Sequence, residues 1–180
     1  MEARDMIPGS ADWRRLKALN RRAFPEDERR SIPVLALAAR LREPVELKGW
    51  YEADCFTGFT VTVALGHCLY LAFIAVEEDA RSRGLGSAIL QALRAAHPEA
   101  YLLVEIEDPR EAADNSAQRS RRAAFYERNG FLPLERTITA GGIRCRLYAT
   151  EDCYDRETYM HALRLLSLRP HSPWGNGRSH

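Results

Sequence analysis

Residues 68–106 constrain the fold more than any other part of the chain. CLYLAFIAV (Cys68–Val76) is almost continuously apolar, as suits a strand covered on both faces. Beyond the charged stretch EEDARSR, Leu85, Ala88, Ile89, Ala92, Leu93 and Ala96 recur at i, i+3, i+4, i+7, i+8 and i+11. That is the single apolar stripe of an amphipathic helix. His97-Pro98 stops it, and YLLVEI (Tyr101–Ile106) reads as a second buried strand. A helix between two such strands makes a crossover, so the strands are expected to run side by side and parallel.

The flanking segments are assigned by the same rules. Trp13, Leu16, Leu19 and Ala23 mark a first helix that stops at Pro25, and Ser31 is a suitable N-cap for a second, PVLALAARLR. The link between them, PEDERR, is charged throughout and is expected to be exposed. Leu47–Asp54 and Phe56–Leu65 are rich in aromatic and β-branched residues, with turn signals at Thr57-Gly58 and Gly66-His67. With Cys68–Val76 they predict an antiparallel meander. Downstream, a helix is expected over about 118–129, with Asn115 and Gln118 as a capping box and Asn129-Gly130 as a left-handed C-cap. A hairpin over Leu132–Thr139 and Ile143–Thr150, turning at Gly141-Gly142, and a last helix over Glu157–Leu168 complete the pattern. The Pro/Gly/Ser-rich residues 169–180 are expected to be a mobile tail after one domain spanning 1–168.

Composition narrows the function classes. In 180 residues, 26 basic side chains face 25 acidic ones for a net charge of +1, which disfavours a nucleic-acid binder. Four cysteines show no C-x-x-C spacing and do not pair with the five histidines, so free thiols and no metal site are expected. No apolar run reaches the ~18–20 residues of a membrane span, and MEARDMIPGS lacks the order of a secretory signal. The expectation is a cytoplasmic protein, with a homodimer left open. Trp50, Tyr51, Phe56 and Phe59 are assigned to sheet packing, and Cys68, Cys145, His67 and His97 to no catalytic role.

The chemistry is concentrated in Arg81-Ser82-Arg83-Gly84-Leu85-Gly86-Ser87, between the buried strand and the amphipathic helix. Glycines let the backbone approach a ligand. The first helical amides have no intrahelical acceptor and sit at the positive end of the dipole. With two arginines they suit a diphosphate. A dinucleotide-binding reading of Gly84-Leu85-Gly86, with Glu105 about twenty residues on, meets three objections. Ile89 stands where the third glycine belongs, eight residues separate Val76 from Leu85, and the preceding strands form a meander.

YLAFIAVEEDARSRGLGSAIL resembles the acyl-CoA-binding motif of the GCN5-related N-acetyltransferase (GNAT) superfamily, [Arg/Gln]-x-x-Gly-x-[Gly/Ala], with Arg81, Gly84 and Gly86 at its defining positions. RRAAFYERNGF (Arg121–Phe131) resembles the superfamily's second motif, so the likeness covers about residues 50–150. The resemblance implies a mixed α/β (α+β) fold: a central, mostly antiparallel sheet with one splayed parallel pair and flanking helices. It implies acetyl-CoA as co-substrate, a small-molecule or peptide amine as acceptor, and direct transfer without metal. The backbone of Ile74, Ala75 and Val76 would hold pantetheine and place a donor near the thioester carbonyl, a stabilisation of about 3–4 kcal/mol in such sites. The loop Arg81–Ser87 would hold the pyrophosphate.

Tyr126 matches the tyrosine that protonates the departing thiolate in many members. Glu105 lies at the strand position of a general base, with a structural carboxylate paired to arginine as the competing assignment and Glu107 as second candidate. Arg119 replaces an asparagine common in the family. Arg119 and Arg122 are read as solvated rather than as nucleotide ligands. A non-catalytic acyl-CoA sensor would keep the loop and dispense with Glu105 and Tyr126.

Overall fold

The structure, a computed structural model, describes residues 1–167 apart from Pro25, Asp27, Glu28, Ser82 and Gly141, and describes only the backbone of Ala80, Arg81 and Ala140. In chain order the elements are β1 (Glu2–Asp5), α1 (Ala11–Ala23), α2 (Ile32–Leu41), β2 (Val45–Glu52), β3 (Cys55–Leu65), β4 (Cys68–Val76), α3 (Glu78–Arg81), α4 (Leu85–Ala96), β5 (Tyr101–Glu107), α5 (Ser116–Arg128), β6 (Leu132–Ala140), β7 (Ile143–Ala149) and α6 (Arg156–Leu166). The expected tail, 169–180, lies outside the described residues, as do three residues of the PEDERR link.

The strands form one sheet in the order β1-β2-β3-β4-β5-β7-β6. Every pairing is antiparallel except β4–β5. A dinucleotide-binding fold, which needs an open parallel sheet, is thereby excluded. The apolar stripe of α4 (Ile89, Leu90, Leu93) packs on Leu102, Val104 and Ile106 of β5. On the opposite face Leu16, Leu19 and Leu35 of α1 and α2 cover Phe59 and Val61, while Tyr159 and Ala162 of α6 cover Leu103 and Leu147. Each fully buried Leu or Ile contributes about 2 kcal/mol by leaving water.

Capping chemistry explains some helix ends and corrects one expectation. Ser10 Oγ accepts from the amide of Trp13 at 3.0 Å, satisfying one orphan donor of α1. Asn115 makes no such cap on α5. Its side-chain amide instead donates to the Glu107 carboxylate at 3.2 and 3.3 Å, a charged acceptor whose strong bonds turn the side chain toward β5. Gly130 takes the left-handed conformation after α5 at φ 78°, as expected of a C-cap.

The parallel pair opens partway along. Hydrogen bonding between β4 and β5 covers only Cys68↔Tyr101, Leu69↔Leu102 and Tyr70↔Leu103, although both strands run on. On the other side of β4, Val61 pairs with Phe73 while Thr62 pairs with Leu71, so Ala72 is an extra residue. Such a bulge bends its strand, and Phe73–Val76 follows β3 away from β5. Gly58 permits the close approach, since a Cβ there would lie 2.5 Å from the carbonyl oxygen of Ala75. The bulge also switches the alternation. Phe73 and Ala75 pack toward α1 and Ile74 and Val76 toward α4, where unbroken alternation from Tyr70 would do the reverse.

Candidate active site

A cavity of about 760 Å³ fills the opening between β4 and β5. Ile74, Ala75 and Val76 line it on one side and Glu105, Ile106 and Glu107 on the other. At one end lie Gly84, Gly86 and Ser87 of the α4 N-terminus. The first intrahelical bond of α4 runs from the Ala88 amide to Gly84. The amides of Leu85, Gly86 and Ser87 therefore have no acceptor within the helix. Gly84 adopts φ 75°, a conformation that favours glycine. A Cβ on Gly86 would sit 3.2 Å from the ring of Phe125, so glycine lets α4 start against α5.

The predicted loop residues divide by role. Leu85 is a core side chain, 5 % exposed, and can offer a ligand only its backbone. Arg83 turns to Glu52, with Nη1 at 2.8 Å. Ser82 and the Arg81 side chain lie outside the described residues. Arg121, Arg122 and Arg128 of α5 bring positive charge to the same cavity.

Tyr126 lines the cavity with its ring held edge-on between Phe125 and Phe131 at 5.2 Å from each. Burial pushes its phenol up to about 12, so at neutral pH it keeps its proton and can donate it. Among the described residues its hydroxyl makes no protein hydrogen bond.

Glu105 also faces the cavity, half-buried beneath two tyrosines. Tyr70 of β4 donates to its Oε2 at 3.1 Å, and Tyr159 of α6 donates to the same oxygen. Burial raises the Glu105 pKa, opposed in turn by the Tyr159 bond, the Tyr70 bond and the charge of Arg30. The result is a carboxylate with acid strength weakened by its surroundings and an ionised form supported by two phenols. The hydrogen bonds to its carboxylate come from phenols, and the charge of Arg30 acts on it as well.

Glu107 is the arginine-paired carboxylate. It is 6 % exposed and takes Nη2 of Arg119 at 2.7 Å and Nη1 of Arg122 at 3.3 Å. Both arginines were expected in solvent; the structure pairs them with this strand end. Strict alternation would place Glu107 beside Glu105, but β4 no longer covers β5 here, and the side chains of α5 reach it.

Tyr70, Tyr159 and Arg30 carry no sequence motif. Tyr70 could be anticipated from its place in β4, whereas Tyr159 depends on α6 returning to the middle of the sheet. Trp50, Tyr51, Phe56 and Phe59 are packing residues as expected, and all four cysteines are free thiols.

Comparison with known proteins agrees with this geometry. Residues 47–133 match the family model described as an acetyltransferase (GNAT) domain. No curated protein matches the chain in sequence. Among solved structures, a protein from Bacteroides thetaiotaomicron assigned to the GNAT family superposes with TM-score 0.71 at 19 % identity, covering 91 % of this chain and 94 % of the other. An aminoglycoside 6'-N-acetyltransferase complexed with coenzyme A gives 0.63 at 16 % identity, over 86 % and 99 %. A GNAT acetyltransferase from Elizabethkingia anophelis with acetyl-CoA bound gives 0.53 at 15 %, over 83 % and 97 %. With the splayed parallel pair and the glycine loop opening α4, residues 47–133 of this chain are identified as a GNAT acetyltransferase domain.

Proposed function

We propose that this protein transfers an acetyl group from acetyl-CoA to a primary amine directly, with no covalent enzyme intermediate. The observation that carries the proposal is one continuous cavity joining the α4 amides that lack intrahelical acceptors to a half-buried carboxylate with weakened acidity. The residues present fit the co-substrate. The α4 amides and the arginines of α5 suit its phosphates, and Phe73–Ala75 offers a strand edge beyond the last β4–β5 pair, Tyr70↔Leu103. That edge suits an extended chain with amide groups. Acetyl-CoA supplies the activated acyl group.

Glu105 would accept the proton of the incoming ammonium, since only the neutral amine is nucleophilic. Tyr126 would return a proton to the departing sulfur. A backbone amide of Ile74–Val76 would donate to the carbonyl oxygen as charge grows there. That structural relatives include an aminoglycoside N-acetyltransferase supports nitrogen as the accepting atom.

Thiol release from acetyl-CoA in the presence of primary amines tests the reading directly. Tyr126→Phe should lower kcat by about 10²-fold with acetyl-CoA affinity within twofold of wild type by calorimetry. Binding without turnover in the wild type, across a broad amine panel, would instead mark a non-catalytic acyl-CoA sensor. Stabilisation by NAD(P) and none by coenzyme A would overturn the cofactor assignment altogether.

A further inference from the structure

We propose that the acceptor is a primary monoamine with an aromatic or branched apolar body, and that polycationic amines are poor acceptors. This inference rests on the acetyl-transfer reading and specifies its second substrate.

The two faces of the sheet divide the cavity. Gly84, Gly86, Ser87 and the arginines of α5 occupy the side of α4 and α5. The opposite side is walled by Phe24 at the end of α1, Phe73 of β4, and Leu163 and Leu166 of α6, with Tyr70 at its base. Phe24 and Phe73 meet edge-on with ring centroids 5.3 Å apart. Such a wall gains from covering apolar surface and offers an aromatic guest the edge and face contacts that rings favour.

Charge sets the second limit. Among the described residues the carboxylates lining the cavity are Glu105 and Glu107. Glu107 is engaged by Arg119 and Arg122. One carboxylate is left to meet one ammonium. Arg30 lines the same side, close enough for its charge to favour ionised Glu105. A second or third ammonium on the acceptor would lose water beside a guanidinium and, among the described residues, meet no further carboxylate lining the cavity. The substrate amine thus has a place for its reacting nitrogen and an apolar place for its body.

Phenethylamine, isoamylamine, spermidine and kanamycin separate the possibilities. Measured as kcat/KM for thiol release by the full chain, the first two should exceed the last two by tenfold or more. Arg30→Glu should narrow that gap by raising the spermidine rate relative to phenethylamine. A second readout does not need turnover: with coenzyme A present, phenethylamine should raise Tm and spermidine at equal concentration should not. Equal or better kcat/KM for spermidine or kanamycin would overturn the proposal, as would a Tm response to spermidine alone. If no amine is acetylated but the Tm preference holds, the binding class stands and the catalytic reading fails. If no amine is acetylated and none shifts Tm, both are overturned.

Discussion

Replacing Glu105 with glutamine should lower kcat/KM for amine acetylation by about 10²–10³-fold at neutral pH, with acetyl-CoA binding unchanged by calorimetry. The amide keeps the volume of the carboxylate and can still accept from Tyr70 and Tyr159, so the local packing survives while the base is lost. The pH dependence carries the stronger test. Burial holds the Glu105 pKa above its ordinary value, and the Tyr159 bond, the largest opposing influence, pulls it back down. The base is active when ionised, so the acidic limb of kcat/KM should follow the Glu105 pKa. Tyr159→Phe removes a donor to Oε2, which leaves the carboxylate less stabilised when charged. The limb should therefore move to higher pH in that variant, an effect that loss of packing alone does not produce. Stability must change with the same sign. A carboxyl whose folded pKa is raised costs stability as pH rises from 4.5 through the folded value, because ionisation is easier in the unfolded chain. Glu105→Gln removes that cost, so its Tm above this window should equal or exceed wild type. A variant with full activity and an unmoved acidic limb would remove Glu105 from the mechanism.

The parts of this site that local pattern encodes are legible in the sequence itself. The α4 stripe, the glycine turn and the apolar β4 each follow from spacing, because periodicity reports burial within one element. Strand β1 was missed for the complementary reason: EARD has no apolar alternation, and only pairing with Lys48–Tyr51 makes it a strand. The short α3 has no signature in the sequence, because four charged or small residues carry no period. The bulge at Ala72 is likewise invisible in an unbroken apolar run, yet it turns β4 away from β5 and opens the site. Contacts between distant elements were harder still. Tyr159 lies 54 residues from Glu105, and nothing in its own helix says which carboxylate it meets. The resemblance identified Glu105 and Tyr126 by position, while the structure supplied what distinguishes Glu105 from Glu107: phenols around one and guanidiniums around the other.

That difference predicts the largest loss of stability at Glu107. Glu107→Ala should destabilise the fold by about 3 kcal/mol, the lower end for breaking a buried ion pair by removing one partner. For a chain of this size that is a fall in Tm of roughly 6–12 °C. The cost arises because the arginine stays behind. Arg119 is 11 % exposed and holds Glu107 at 2.7 Å, so its charge would remain in a place from which water is largely excluded. Arg122, at 27 % exposed and 3.3 Å, can turn outward and adds little. Asn115 would also lose its acceptor, freeing the chain that leads into α5 and with it the base of the helix carrying Tyr126. Removing the stranded charge should restore much of the loss, so Glu107→Ala with Arg119→Met should melt above Glu107→Ala alone. Glu107→Gln, which keeps a neutral acceptor, should fall between wild type and alanine in Tm and retain most of its kcat. The opposite pattern, a Glu107→Gln protein with wild-type Tm and a 10²-fold loss of kcat, would transfer the role of base from Glu105 to Glu107.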